Sequence, residues 1–318
     1  MKQIFLAALL AFPLFCISQY TYNNLQVNFL ETETAAKSYS YENLRLYPIK
    51  AKAGFKSQFA GVGKYVPLKE ALEKKKVVIT EKSNGETVST LTVENVSNDT
   101  IIIIVGEVIK GGKQDRIINK DVVLPPKRGK KDLSVYCVES GRWTYNSPRS
   151  QNEFNSYFNV GSVSLRKTVE KEKSQGKVWS KVEEINNANK TKTETSTYTA
   201  LTSSENFNKK LSAYKKFFKE KFVQEQDVIG VVVVSGDKVL GCDMFATADL
   251  FKQNFENLLS SYATEAIISG KTVTATAATV KKYMDKLLSS EKEQDATLKE
   301  KGNSFSNKGK KLRISSYD

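Results

Sequence analysis

No histidine occurs anywhere in the 318 residues. That absence excludes His-dependent catalytic triads, histidine general bases and zinc or iron sites that use imidazole. Any catalysis would rest on Glu, Asp, Lys, Tyr, Arg or Cys. Cysteine is scarce, with three in all. One of them, Cys16, lies in a segment that export would remove. The remaining two, Cys137 and Cys242, would be free to bridge in an oxidising compartment, although two cysteines so distant in sequence give little support for a bond. Beyond the first twenty residues no apolar run reaches the ~18–20 residues of a membrane-spanning helix. No short motif of an RNA- or DNA-binding module is present and no internal repeat is visible. The sequence therefore predicts no transmembrane segment, no nucleic-acid partner, no metal and no cofactor.

The start of the chain reads as a secretory signal peptide. Lys2 precedes the apolar run IFLAALLAFPLF, and small residues follow in CISQ. Cleavage is expected near Ser18 or Gln19, which places the mature protein outside the cytoplasm. Phe15 is too large for the lipoprotein processing that would use Cys16 as an anchor. The formal charge is +14 and 26% of residues are charged. The lysines are spread along helical faces and the C-terminal stretch with Glu interleaved, which reads as a soluble lysine-rich surface. A hydrophobic content of 40% is enough to build a core. The expected organisation is a signal peptide over 1–19, one domain over 20–290 and a charged tail over 291–318.

Residues 20–40 read as a loose lead-in. A strand over 41–50 is expected to end at Pro48, and 54–63 reads as a loop. Pro67 suits the first position of a short helix. Five strands are then expected: 77–82, 87–94, 100–108, 116–124 and 132–139. The first two flank an Asn84-Gly85 turn, and the isoleucines of the third point to burial on both faces. Short consecutive strands argue for an antiparallel, meander-like sheet. After Ser150 the pattern turns helical, with helices predicted over 164–187, 205–222, 249–268 and 280–288, and 189–203 as a loop. A hairpin of 227–234 with 238–242 interrupts them, and 312–314 could add an edge strand. The fold class is α+β: an antiparallel sheet from the first half, with helices of the second half packed on it.

The chemistry-bearing residues concentrate between Ile101 and Trp143. GEVIKGGK fails the phosphate-loop template, because Lys must follow the second glycine directly and Ser or Thr must follow Lys. The pair Gly111-Gly112 still permits close backbone approach. Lys113 and Arg116 would supply charge for an anion held by backbone N–H groups; the alternative is a tight connection with solvated charges. Glu107 needs a partner wherever it is buried, and Lys113 or Arg116 could form a structural ion pair with it. Alternation puts Leu133, Val135, Cys137 and Glu139 on one strand face. Cys137 reads as a small packing residue; a nucleophilic role would need a nearby cation to lower its pKa. Glu139 either pairs with Arg142 or faces a ligand. Trp143 and Trp179 read as core or wall.

Several of these residues carry a family resemblance. Gly106-Glu107, Gly111, Lys113-Gln114, Arg116, Asn119, and then Val135, Cys137-Val138-Glu139 and Gly141-Arg142-Trp143 follow a recognisable pattern, with Gly112 in place of a common Ala. On them the chain resembles the ARG and rhodanese-phosphatase-superfamily-associated protein domain. The likeness extends through YVPLKEAL near Tyr65, QGKVW at Gln175–Trp179 and the strand–helix segment from Ile229 to Ala266. It implies a domain of unknown function whose genomic neighbours include ADP-ribosyl-glycohydrolases, and hence a role with ADP-ribose or a related nucleotide. The leading expectation is an exported protein binding an anionic nucleotide-like or sugar-phosphate ligand, through Glu107, Gly111, Lys113, Gln114, Arg116, Asn119, Glu139, Arg142 and Trp143. The second is a structural or envelope-associated interaction protein in which the same residues form an internal polar network.

Overall fold

The strand Val228–Ser235 has no exposed residue along its length. A strand of that kind must be covered on both faces, as its run of valines implies. In the computed structural model, which describes residues 20–82, 88–141, 152–191 and 193–318, it sits inside a seven-stranded sheet. From one edge the order is Leu25–Val27, Leu44–Ala51, Val228–Ser235, Lys238–Phe245, Lys310–Tyr317 and Gly302–Asn307, with Ser40–Tyr41 paired to Leu44–Ala51. All of its pairings are antiparallel. The long helix Ala248–Ile268, N-capped by the Thr247 hydroxyl, packs against three of these strands. Helices Glu205–Val223 and Ala277–Leu288 cover more of the same core.

A second sheet runs in the order Phe154–Val160, Glu107–Gly111, Arg116–Ile118, Lys131–Cys137, Thr90–Asn95, Val77–Glu81. Its two end strands meet. Thr80 bridges Glu153, and the Glu81 N–H donates to the Asn152 carbonyl at 2.7 Å. The sheet thereby closes into a small barrel with no long free edge. Ile79, Leu91, Val93, Ile109, Ile118, Leu133, Val135 and Phe154 belong to its core. A three-stranded sheet of Val122–Leu124, Ile101–Ile103 and Val66–Pro67 lies between the two larger ones, its last pairing parallel.

The isoleucine run explains how the two halves join. Ile101 and Ile103 pack in the barrel core, whereas Ile102 and Ile104 pack in the core of the large sheet. Alternation along one strand serves two separate interiors, so no position can be polar.

The α+β class is present: antiparallel sheets, with most helices in the second half. The second half also contributes four of the seven strands of the large sheet. Several expected elements differ. The single strand over 100–108 is two, Ile101–Ile103 and Glu107–Gly111, in different sheets, because Gly106 turns the chain at φ +90. The strand over 116–124 is likewise split between sheets. The 164–187 helix breaks into Val163–Lys167, a π-turn at Thr168–Glu172 and Gln175–Ala188, with Lys173 left-handed at φ 48. Residues 54–63 are largely a helix, Ala53–Phe59, that buries Phe55 and Phe59. Pro48 lies within Leu44–Ala51 rather than ending it, paired with Val231. The 189–203 segment carries a 3-10 turn with Tyr198 and Leu201 buried. The supposed tail is the helix Glu291–Lys301 followed by a hairpin whose second strand is interior, not an edge. The loose lead-in has Tyr20 and Leu25 in the core. The signal peptide and the Asn84-Gly85 turn lie outside the described residues. Among those residues, no helix is long and apolar enough to cross a membrane.

Candidate functional site

The glycine turn joins two paired strands, with Val108 opposite Ile117 and Ile109 opposite Arg116. Gly112 adopts φ +50, and a Cβ there would lie 2.5 Å from the Phe154 ring and 2.6 Å from Glu81 Oε1. Only glycine fits such a conformation against such neighbours. The close approach brings in Glu81 from the far end of the barrel. Its Oε1 accepts the Lys113 backbone N–H at 2.9 Å and Arg116 Nη2 at 3.3 Å. The Arg116 side chain is fully buried; its Nη1 donates to the Gln114 carbonyl at 2.8 Å and its guanidinium lies over the Phe154 ring. The turn thus has the anion-holding geometry that its residues suggest, and the chain's own carboxylate occupies it.

The neighbouring motif residues interlock in the same way. Gln114 Nε2 donates to the Glu139 carbonyl at 2.8 Å, and Glu139 Oε2 accepts the Asp115 N–H at 3.1 Å. Asp115 Oδ2 in turn accepts the hydroxyls of Thr197 and Thr199. Lys113 is half-buried. The expected Glu107–Arg116 ion pair is absent; Arg116 pairs with Glu81.

Cys137 stands opposite Arg116 in the strand ladder and is buried. Gln175 closes the open side of that strand. Its Oε1 accepts the Cys137 N–H and its Nε2 donates to the Cys137 carbonyl, both at 2.8 Å. Burial pushes the thiol up to about 11, against the pull of Arg116 and with Glu81 and Glu139 adding to the rise. A thiol in that state carries almost no thiolate at neutral pH. Cys242 is also free and buried, in the core of the large sheet.

Glu107 belongs to a different cluster. It begins a strand rather than ending one, and its Oε2 accepts the Ile104 N–H at 2.8 Å. Its Oε1 and the Tyr157 hydroxyl are buried without a hydrogen bond, and each group shifts the other's titration. Burial above all raises the Glu107 carboxyl to about 8; Asp121 adds to this and Arg313 opposes it. The cluster continues between the sheets. Arg166 grips Asp243 with both terminal nitrogens, at 3.0 and 2.5 Å. Arg313 Nη2 also reaches Asp243 at 3.0 Å, while its Nη1 holds Asp121 at 3.0 Å. Tyr262 donates to Asp243, and Ser315 and Tyr317 donate to Glu170. Burial pushes Asp243 upward, but Arg166 and Arg313 outweigh it and hold the carboxyl at about 2. Two guanidiniums facing Asp121 and Asp243 are already balanced. The further carboxyls, Glu107 and Glu170, are accordingly both displaced upward, chiefly by burial. Gly106 makes room for this assembly: a Cβ there would lie 2.7 Å from Arg166 Cγ.

Of the sequence-predicted residues, Gly111, Lys113, Gln114, Arg116 and Glu139 come together at the barrel end. Glu107 is apart from them, in the inter-sheet network. Asn119 lies beyond the Arg116–Ile118 strand, bonded through its N–H to the Ser134 carbonyl and set beside Tyr136. Arg142 and Trp143 lie outside the described residues. Trp179, expected in core or wall, is exposed. Sequence reasoning missed Glu81, Asp115, Gln175, Arg166, Glu170, Asp243 and Arg313. A signal existed for one of these: Asp243 is a charge in an apolar run, between Cys242 and Met244, where burial demands a partner. Among the described residues no group of three or more His, Cys, Asp or Glu side chains could hold a metal ion.

No curated protein and no solved structure matches the chain. The sequence model of the ARG and Rhodanese-Phosphatase-superfamily-associated Protein domain matches residues 33–316, nearly the whole of the described fold, and the chain belongs to that family.

Proposed function

We propose that this is an exported, non-catalytic binding protein for an anionic small molecule, in which the Gly111–Arg116 turn and the Val135–Glu139 stretch are the frame and not the ligand contact. One observation carries this reading: the anion nest of the turn is filled by Glu81, and the Arg116 guanidinium that would serve a ligand is fully buried against it. Buried pairs of this type are costly to break, because the surviving charge is stranded. The chemistry of the region agrees, since Cys137 is held as a thiol and no histidine is available. The apolar start of the sequence supports export.

Two variants test the role of the turn. Arg116→Ala is expected to lower stability by ~3 kcal/mol, read as a fall in melting temperature. Lys113→Gln is expected to leave calorimetric binding of ADP-ribose unchanged. A tenfold loss of affinity in Lys113→Gln at unchanged melting temperature would make the turn a ligand contact after all. For export, the mass of the protein from its native host should place the mature N-terminus at Ser18 or Gln19. An intact Met1 in the cytoplasmic fraction would count against it.

A further inference from the structure

A cleft of about 530 Å3 lies between the barrel, the π-turn at Thr168–Glu172 and the chain from Asp295 to Ser304. Its volume falls within the range of small-molecule sites, and its lining is dominated by cations and hydrogen-bonding groups. Lys120, Lys171, Lys173 and Lys299 face two carboxylates, Glu170 and Asp295.

The four lysines are not equivalent. Lys171 is fixed: its Nζ donates to the carbonyls of Lys299 at 2.8 Å, Gly302 at 3.1 Å and Leu298 at 3.4 Å, at the C-terminal end of the helix Glu291–Lys301. Burial lowers its pKa, and the three carbonyls set its position in the wall. The other three are exposed, and among the described residues no carboxylate pairs with them. Many other lysines of this protein are paired, including Lys56, Lys74, Lys82 and Lys219. Lys173 is itself the left-handed residue that ends the π-helical turn, at φ 48. The two acids offset little of this charge. Glu170 is buried, accepts hydrogen bonds from the hydroxyls of Ser315 and Tyr317, and has its pKa raised chiefly by burial. Asp295 lies 3.9 Å from Lys311. The rest of the wall offers the amides of Asn119 and Asn303 and the hydroxyls of Ser134 and Ser304, which suit a polyol, beside Tyr136, Val169 and Leu298.

We propose that this cleft binds a phosphorylated polyol, a sugar phosphate or nucleoside phosphate, with Lys120, Lys173 and Lys299 on the phosphate and Asn119 among the groups that meet the hydroxyls. The proposal rests on the reading of the chain as an anion-binding protein, and gives that reading a place and a ligand class. Fixed and mobile cations around one opening raise the local concentration of an anion and hold it by charge-assisted hydrogen bonds. Among the described motif residues, Asn119 alone lines this wall.

The test is calorimetric titration of the intact mature protein with ADP-ribose, inorganic pyrophosphate and ribose. ADP-ribose is expected to bind more tightly than pyrophosphate, and ribose not measurably. The triple variant Lys120→Gln, Lys173→Gln, Lys299→Gln keeps the aliphatic stems. It should weaken ADP-ribose binding by at least about tenfold, the loss of one charge-assisted contact or more, with an unchanged melting temperature. Asn119→Ala should weaken ADP-ribose but not pyrophosphate. Binding that persists in the triple variant would overturn the cleft while leaving the binding-protein reading intact. Failure of the wild type to bind either phosphate compound at millimolar concentration would overturn both.

Discussion

Two arginine-centred assemblies hold this protein together, and they are built differently. At the barrel end Arg116 has one carboxylate partner, Glu81, which is itself 10% exposed, together with a backbone carbonyl and an aromatic face. Between the sheets Arg166 and Arg313 share Asp243, and Arg313 also holds Asp121, with every one of these side chains almost completely buried. The first assembly comes from a short stretch of sequence reaching two distant residues, Glu81 and Phe154. The second draws on residues from strands, helices and loops across the molecule. A local motif tolerates a partly wet rim because few groups depend on it, whereas the interior network leaves no unbalanced charge for water to relieve.

Arg313→Ala is expected to have the largest effect, because it strips Asp121 of the Arg313 contact and leaves Asp243 with Arg166 as its one guanidinium. A loss of ~5 kcal/mol or failure to accumulate folded protein should follow, and urea unfolding compared with Arg116→Ala measures the contrast. If Arg116→Ala proves equally damaging, the two assemblies are equivalent in weight and the comparison fails.

pH separates two carboxyls of the interior network next. Glu107 has its folded pKa raised to about 8, above the ~4.3 of an unfolded glutamate. Its contribution to stability is present below the unfolded value and lost as pH rises through about 8. Asp243 runs the other way: held at about 2, it contributes above its ordinary value near 4 and that contribution is lost as pH falls through about 2. Melting temperature should therefore decline from pH 5 to 8, and Glu107→Gln should flatten that limb without altering the acid limb. An unchanged slope in the variant would show that Glu107 is not the group responsible.

The smallest effect is expected at Cys137, which touches the Arg116 assembly without supporting it. Cys137→Ala should cost ~1 kcal/mol. A thiol held near 11 should react slowly with iodoacetamide at pH 7, and rapid labelling of the folded protein would show a thiolate there.

Much of this architecture was legible in the sequence because it depends on local pattern. The helices Glu205–Val223 and Ala248–Ile268 and the hairpin of Val228–Ser235 with Lys238–Phe245 follow apolar period and turn residues. The isoleucine run announced burial on both faces, but not that those faces belong to two cores, because alternation does not say what lies opposite. Gly111, Lys113 and Arg116 suggested a site for an anionic ligand, and the fold puts the Glu81 carboxylate against them. The identity of the anion was hidden, because Glu81 lies some thirty residues upstream in a strand that looks like any other. The break at Lys173 left no mark, since a lysine in a left-handed conformation reads like one in a helix. The lysine cleft was invisible for the same reason: Lys120, Lys173 and Lys299 become neighbours only when the chain is folded.

The strand Lys310–Tyr317 follows every other element of its sheet in the chain, yet lies inside it, between Lys238–Phe245 and Gly302–Asn307. It also delivers Arg313 and Tyr317 to the interior. Until this strand has left the ribosome, the large sheet has a gap beside Lys238–Phe245, and Asp121 and Asp243 have no Arg313. Domains whose contacts are mainly long-range are slow to commit, and here commitment waits for residues that are synthesised late. A nascent chain stopped before Lys310 would expose an unpaired, strongly apolar edge, the kind of intermediate that chaperones exist to cover. Protease resistance of the large sheet is therefore expected only once Lys310–Tyr317 has paired on both sides.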